Sequence, residues 1–336
     1  MLYVIGLILK KMKSMNRKHE SYGGFQPLEL RDTGVFYSQN EYNLLKFNSA
    51  KVGIDKIIEK YQIKKMHVPF YLCPNVCKEI EKHDLEVVYY NIDKELLPII
   101  SDEFIEGDWI YIVDYFGIMD NRMDTYIKIH SDYKYIVDNC HSFFHKPNIG
   151  ENYVYSCRKF FGVPDGSYLI TDEYIEEQGE LSKGAEYSNY LMTALESGTN
   201  SCYKEKKNVD ALLVRTYENM SLLADKIMHS IDYDMVINIR RENAAQYERA
   251  FSKINRIEIE KNSVPYMYPL NFGRNIKKEL IDKKIFVPTL WGQCNDEKYK
   301  ETWEYDLTEN TLFLPVDQRY DKEDIEYVIS IVKSLM

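Results

Sequence analysis

The sequence has little of what a disulfide-rich, membrane-spanning or nucleic-acid-binding protein needs. Its six cysteines are scattered, with no Cys-x-x-Cys pair and no nearby histidine at metal-ligand spacing, so we predict neither a disulfide framework nor a metal site. The apolar run MLYVIGLIL is too short to cross a bilayer. The net charge is −10, whereas nucleic-acid binding needs an excess of cations. These absences favour a cytoplasmic protein with reduced thiols and small-molecule partners.

What is present fits a packed enzyme-sized protein. The 336 residues suffice for a large domain and a smaller one, and 45% of them are hydrophobic. No segment has the composition of a disordered region. We treat residues 1–22 as an N-terminal extension, either a start-site extension or an interfacial helix, without a functional role.

Apolar residues alternate between helical and strand spacing through the first half of the chain. The segments, in chain order, are a helix at 48–63, a strand at 65–72, a helix at 73–83, a strand at 85–92, a strand at 108–117, a helix at 123–133 and a strand from 134. This order predicts an α/β fold in which helices cover both faces of a mainly parallel sheet, giving three layers.

The second half of the chain is richer in helical patterns. One runs through ALLVRTYENMSLLADKIMHSI at 211–231 and another through NIRRENAAQYERAFSKI at 238–254, before shorter elements and a final helix at 321–335. We place a domain boundary after residue 231. This divides the chain into a large domain at 23–231 and a small α+β domain at 232–336.

Open α/β sheets bind ligands at the carboxyl ends of their strands, so we searched the junctions between strands and loops. In KFNSAKVG, Ser49, Ala50 and Lys51 open a helix, where free backbone N–H groups and a hydroxyl can form an anion site. The alternative is an ordinary helix cap in which Asn48 or Ser49 satisfies the first amides.

Two further junctions carry ionisable groups. In YIVDNCHSFF, Asp138 ends a β-branched run and His141 follows; Asp138 is either a loop cap or a carboxylate that needs a cationic partner. In NYVYSCRKFFGVPDG, Lys159 lies between a strand and a glycine-containing turn. A lysine buried among aromatic residues is expected to have a lowered pKa and to act as a nucleophile; the alternative is a surface lysine with a buried stem.

An anion site, a strand-end aspartate and a later lysine are together the parts that a pyridoxal phosphate (PLP) site requires. From about Gly23 onward the sequence also resembles the DegT/StrS-type PLP-dependent sugar aminotransferases of fold type I. The stretches that carry the resemblance are GGFQPLEL, NSAKVGIDKII, VPFYLC, VDNCHSF and YSCRKFFGVPDGSYLI.

The resemblance implies roles for individual residues. Lys159 corresponds to the lysine that binds the cofactor and carries a proton, Asp138 to the partner of the pyridine nitrogen, and His141 to a hydrogen-bond donor that faces the ring. Ser156 joins Ser49, Ala50 and Lys51 in the phosphate site. Two further assignments are Tyr71 as the aromatic residue that stacks on the cofactor and Arg319, in LPVDQRYD, as a contact for a substrate carboxylate.

The resemblance further implies a transamination from an amino acid, expected to be glutamate, to a keto sugar carried on a nucleotide, in the synthesis of a surface polysaccharide or another glycan. A homodimer is also implied. We find no clear counterpart of the family's Asn-Tyr-Arg-Met segment, through which a neighbouring subunit reaches the phosphate. Two alternatives therefore stay open: a PLP enzyme with a nonsugar substrate, and a non-catalytic protein that binds a sugar nucleotide or a partner.

Overall fold

The computed structural model describes residues 23–101, 104–148, 150–176 and 179–336. The expected N-terminal extension at 1–22 lies outside the described residues. The chain divides into two compact units, and the boundary lies between Arg31 and Asp32. Residues 23–31, the described part of the first unit, contain no helix or strand. The second unit, Asp32–Met336, contains the helices and strands of the described residues.

A mainly parallel sheet forms the centre of this unit. Within the described residues it has seven strands in the order β1-β7-β6-β5-β4-β2-β3. Strand β7 is antiparallel to both of its neighbours, and the other six strands run in one direction. The strands are β1 (Leu44–Phe47), β2 (Lys65–Pro69), β3 (Glu86–Tyr90), β4 (Trp109–Val113), β5 (Lys134–Asp138), β6 (Asn152–Ser156) and β7 (Ser167–Ile170).

Helices connect these strands in the order that the sequence pattern predicts. The helices of this part are α1 (Ala50–Tyr61), α2 (Pro74–Ile80), α3 (Asp120–Ile129), α4 (Gly184–Tyr187), α5 (Asn189–Ser197), α6 (Tyr203–Leu213) and α7 (Leu222–Met228). Strands β4 and β5 are almost wholly buried, as their continuous apolar runs require. The predicted α/β fold with a mainly parallel sheet is therefore confirmed.

The C-terminal part adds a two-stranded antiparallel sheet with its own apolar core. Its elements are α8 (Tyr233–Phe251), β8 (Tyr268–Asn271), α9 (Lys277–Asp282), α10 (Trp303–Asn310), β9 (Thr311–Leu314) and α11 (Lys322–Leu335). The core includes Tyr247, Leu270, Leu312 and Ile325. The boundary that we place after residue 231 stays a prediction.

The prediction of one long helix at 211–231 is wrong for the middle of that range. Helix α6 ends at Leu213, and α7 begins only at Leu222. Between them the chain is extended along β1: Asn48 N donates to Glu218 O and Met220 N donates to Lys46 O. These backbone bonds outweigh the helical spacing of the apolar residues. They pair the Lys46 carbonyl and the Asn48 N–H at the edge of β1, which a helix with its own backbone groups paired internally would leave without partners.

No helix among the described residues has both the length and the apolar character needed to cross a bilayer. All six cysteines are free thiols.

Candidate functional site

The direction of the strands brings most of the candidate residues to one edge of the large sheet. Strands β1, β5 and β6 all point the same way, so Phe47, Asp138 and Ser156 end at the carboxyl edge. The register confirms this, because Ser167 of β7 pairs with both Phe47 and Ser156. The start of α1, Asp138 and the turn that carries Lys159 therefore lie at neighbouring strand ends.

The first turn of α1 has the open arrangement expected of an anion site. Ser49 is the N-cap residue, but its side chain caps no backbone amide. Its hydroxyl instead lies 3.3 Å from Asn48 Oδ1. The first turn, which begins at Ala50, contains no acidic side chain. The helix dipole and the uncapped amides thus favour an anion here, and the ordinary cap that we considered is not formed.

Lys51 places an unsatisfied cation beside this turn. The residue is 6% exposed, and its Nζ has no hydrogen-bond partner among the described residues. The amine lies 3.3 Å from the centre of the Tyr217 ring. Burial lowers the pKa of Lys51 to about 8, although Glu79 acts in the opposite direction. A buried amine without a bond is costly unless a ligand satisfies it.

Asp138 is held rigidly at the end of β5. The Tyr111 hydroxyl donates to its Oδ2 at 2.7 Å, and the Cys140 backbone N–H donates to its Oδ1 at 2.9 Å. The residue is 6% exposed. The second bond is the loop cap that we considered as an alternative, but the first fixes the carboxylate from the neighbouring strand β4. Each oxygen keeps a second lone pair for a further donor.

His141 lies in an aromatic enclosure. Its ring stacks with Tyr266 at a centroid distance of 4.9 Å and lies parallel to Trp291 at 5.5 Å. Burial, reinforced by the positive charge of Lys159, holds the pKa of His141 well below its usual value, so the imidazole is neutral. Its Nδ1 has no partner among the described residues.

A glycine keeps the backbone close behind His141. Gly117 has φ +68°, and a Cβ there would approach His141 O to 2.5 Å. Both the left-handed conformation and the close approach exclude a side chain at this position.

Lys159 ends a short 3₁₀ turn, Cys157–Lys159, directly after β6. The residue is half-buried, and its Nζ lies 5.8 Å from the centre of the Tyr266 ring. Burial disfavours its charge, but Cys140 and Asp138 outweigh burial and raise the pKa of Lys159.

The prediction that aromatic neighbours lower the pKa of Lys159 is therefore wrong for the protein without a cofactor. The sequence pattern shows the aromatic surroundings but does not show that Cys140 and Asp138 lie near enough to act on the charge of the amine.

Ser156 and Tyr71 also lie at this edge, in different surroundings. Ser156 is the last residue of β6, three positions before Lys159. Tyr71 follows β2 and is fully buried. Its ring packs edge-on against Trp291 at 4.4 Å. Trp291 thus connects Tyr71 to His141, and the cofactor-stacking role of Tyr71 stays a prediction.

Arg319 has its guanidinium occupied. Nε and Nη2 donate to the two oxygens of Asp317 at 2.6 and 2.9 Å. The Asp317 bonds raise the pKa of Arg319, and Tyr266 lies near enough to contribute. A substrate carboxylate would therefore compete with Asp317 for the same fork of donors.

Sequence reasoning missed the residues that reach this edge from elsewhere in the chain. Tyr266 and Trp291 face His141 from loops of the C-terminal part. Thr216 and Glu218 accept bonds from the Asn48 side chain at the start of α1. The one available signal was the Tyr-Glu-Asn-Met-Ser run at 217–221, which the helical spacing concealed.

A buried ionic cluster supports the loop that carries His141. His145 Nδ1 lies 3.0 Å from Asp114 Oδ2, and its Nε2 lies 3.1 Å from Asp124 Oδ1. Although burial acts against it, the bonds to these two carboxylates raise the pKa of His145 to about 11. The cluster ties the end of this loop, at His145, to Asp114 and Asp124.

Neither a protein-family model nor a curated protein matches the sequence. The fold, however, is similar to that of solved aminotransferases. The sugar aminotransferase CalS13 from Micromonospora echinospora matches with 13% identity over 87% of each chain at a TM-score of 0.59. A DegT DnrJ EryC1 StrS aminotransferase from Brucella abortus matches with 15% identity over 87% of this chain and 85% of that chain, at 0.58.

A third match is Spr1654 from Streptococcus pneumoniae, described as a sugar aminotransferase and solved in its PLP form. Identity is 14% over 87% of this chain and 88% of that chain, and the TM-score is 0.54. Identities this low establish the architecture of the chain. The resemblance seen in the sequence is therefore confirmed for the fold, which is that of the DegT/StrS-type sugar aminotransferases.

Proposed function

We propose that the protein is a PLP-dependent aminotransferase that transfers an amino group from an amino acid donor to a keto sugar. The observation that carries the proposal is the placement of Lys159 and Asp138 at neighbouring strand ends on the carboxyl edge of the sheet, where the Asp138 charge acts on the Lys159 amine. A lysine and a fixed carboxylate on adjacent strand ends are the two groups that such chemistry requires of the protein. Spr1654, which shares the fold, was solved in both PLP and PMP forms.

The residues present fit this cofactor. Its phosphate would bind at the first turn of α1, where Ser49 leaves the amides uncapped and Lys51 Nζ has no partner among the described residues. Ser156 adds a hydroxyl from the end of β6. The pyridine nitrogen would pair with Asp138, and Tyr71 and His141 would face the ring. When bound, the cofactor supplies an electron sink for the carbon that gains or loses the amino group.

The protein's own groups divide the remaining work. Tyr111 and the Cys140 N–H keep Asp138 oriented through their two bonds. Although burial disfavours its charge, Lys159 holds a proton, because Cys140 and Asp138 raise its pKa. Neutralising Asp138 would return the Lys159 pKa toward the lowered value that burial favours, so the amine could then release and regain its proton. His141, neutral at physiological pH, contributes a hydrogen bond rather than a charge.

We assign the substrates by class. Glutamate is the expected donor, and Arg319 is the candidate contact for its second carboxylate. The acceptor is a keto sugar, carried on a nucleotide, for a surface polysaccharide or another glycan. We also propose that the protein is a homodimer in the cytoplasm. Residues 232–336 form its small domain.

The test is the first half-reaction, which needs no knowledge of the sugar. Protein loaded with PLP is mixed with glutamate, and 2-oxoglutarate is measured by mass spectrometry in a single turnover. One equivalent of keto acid per subunit is expected for the wild type and none for Lys159→Ala. Aspartate and alanine serve as competing donors. Absence of keto acid with all donors would refute the aminotransferase assignment.

Two observations favour a second candidate, a non-catalytic protein that binds a sugar nucleotide or a partner. Both oxygens of Asp138 already accept bonds, and the Lys159 amine is protonated. Direct titration with PLP separates the candidates, because a non-catalytic protein would bind a nucleotide sugar without binding PLP. Loading with PLP and more than one equivalent of product per subunit, formed from an amine and a nonsugar keto acceptor with no keto sugar present, would indicate a PLP enzyme with a nonsugar substrate.

A further inference from the structure

Arg240, on α8, is a large charged side chain buried behind the candidate site. It is 1% exposed. Its Nη1 donates to the carbonyl oxygens of Pro265 and Tyr266 at 3.0 and 3.2 Å. Its Nη2 donates to the carbonyl oxygen of Phe160 at 3.4 Å, and the guanidinium carbon lies 4.5 Å from the centre of the Phe160 ring.

These partners are unusual for a buried guanidinium. They are backbone carbonyls, and the neighbouring carboxylate, Asp317, gives both of its oxygens to Arg319. Burying a cation without a direct ion pair is costly, and burial lowers the pKa of Arg240 to about 10. An apolar residue of similar size would avoid this cost, so packing alone does not explain an arginine here.

The three carbonyls belong to two segments that meet at Lys159. Phe160 directly follows Lys159 and ends its 3₁₀ turn. Tyr266 places its ring beside both the Lys159 amine and the His141 imidazole. The planar fork of Arg240 can join the segments because it presents several donors in a fixed geometry. Gln318 Nε2 is a second donor to Phe160 O, at 2.9 Å.

We propose that Arg240 is a positioning residue that holds the Lys159 turn against Asp138 and Tyr266. Without the fork, the carbonyls of Phe160 and Tyr266 lose a shared donor, and the Lys159 amine moves away from the Asp138 carboxylate. This inference rests on the proposed role of Lys159, but it concerns the amine itself and applies to the protein without cofactor.

The positioning role and a simple charge effect predict opposite results. Removing a nearby positive charge would raise the pKa of Lys159. Loss of positioning would lower it, because the amine stays buried while its attraction to Asp138 weakens. The other groups that face the amine are Cys140, Tyr266, Cys73 and the neutral His141, and none of them changes in the test.

The experiment measures the pH dependence of acetylation of Lys159 by trace acetic anhydride, with peptide mass spectrometry, in cofactor-free protein. Arg240→Lys keeps the charge and loses the fork, whereas Arg240→Met loses both. Arg241→Met is the matched control, since Arg241 is the exposed neighbour on the same helix and donates to Asn262 O. We expect both Arg240 variants to lower the midpoint by about one unit and Arg241→Met to leave it unchanged.

A rise or no change in the midpoint for folded Arg240→Lys would overturn the proposal. If the Arg240 variants do not fold, Gln318→Leu removes the second donor to Phe160 O without leaving a buried charge. It is expected to lower the midpoint by a smaller amount, and an unchanged midpoint would then refute the proposal. A protein that fails to bind PLP could still pass this test, so failure of the proposed function and failure of the positioning role are distinguishable.

Discussion

The Tyr111 hydroxyl donates a hydrogen bond of 2.7 Å to Oδ2 of Asp138, and both side chains are buried. Tyr111→Phe should lower the free energy of unfolding by about 1.5–3 kcal/mol, since a bond to a buried carboxylate is lost. It should also weaken PLP binding, because Asp138 loses its orientation. Urea unfolding and PLP titration measure the two effects.

Tyr90→Phe is the matched control for this change. The Tyr90 hydroxyl is also buried but donates to a neutral acceptor, Tyr111 O, at 2.8 Å. Its removal should cost about 1 kcal/mol and leave PLP affinity unchanged. Equal effects of the two variants on PLP binding would contradict a special role for the Tyr111 bond.

Asp138→Asn should lower the pKa of Lys159. The amide keeps the shape of the side chain but removes the charge that opposes the desolvation of the amine. Acetylation of Lys159 as a function of pH measures the shift, which should exceed one unit. The exposed Asp172→Asn is the control. An unchanged midpoint in Asp138→Asn would show that the two groups do not interact.

Lys51→Met should make the cofactor-free protein more stable at pH 7, by an amount on the order of 2 kcal/mol. The folded state lowers the pKa of Lys51 from 10.5 to about 8, so the unfolded state binds more protons between these values. The free energy of unfolding of the wild type therefore increases as the pH rises from 8 to 10.5. Below pH 8 the full cost of burying the protonated Lys51 amine is present. The advantage of the variant should shrink as the pH rises from 8 to 10.5.

The difference between unfolding curves of wild type and variant at several pH values tests this sign. Lys78→Met, at an exposed position of α2, is the control. A variant less stable than wild type at pH 7 would mean that the contact of the Lys51 amine with the Tyr217 ring outweighs the cost of its burial.

Ser49→Ala should weaken PLP binding and leave the free energy of unfolding almost unchanged. Because the Ser49 side chain caps no amide, its loss should change the free energy of unfolding by less than about 0.5 kcal/mol. Thr302→Ala removes a formed cap, the bond from Tyr305 N, and should cost about 1 kcal/mol. PLP affinity should fall about tenfold in Ser49→Ala alone. Equal losses of stability in both variants would contradict an open helix start.

The sequence predicts the local elements of the large sheet well, because each has a clear period. Helix α1, the buried strands β4 and β5 and the final helix α11 lie where their apolar spacing indicates. The candidates Asp138 and Lys159 were found for a related reason: both follow strand-like runs, and parallel strands bring their carboxyl ends to one edge.

The features of the fold and of the site that the sequence does not predict depend on contacts between distant segments. The extended run at 216–221 has helical spacing, but backbone bonds to β1 decide its conformation. Tyr266, Trp291 and Arg240 reach the site from a part of the chain that follows it by about a hundred residues. No local pattern distinguishes them from ordinary core residues. The sign of the Lys159 pKa shift likewise depends on which charge faces it in space.

The central claim, that Lys159 and Asp138 form a PLP site, is tested most directly by the visible absorption of the protein with added PLP, before and after borohydride. We predict a yellow wild-type protein in which reduction fixes the cofactor covalently on the peptide that contains Lys159, and a Lys159→Ala variant that stays colourless and unlabelled. Labelling of another lysine, or no coloured species in the wild type, would contradict the account.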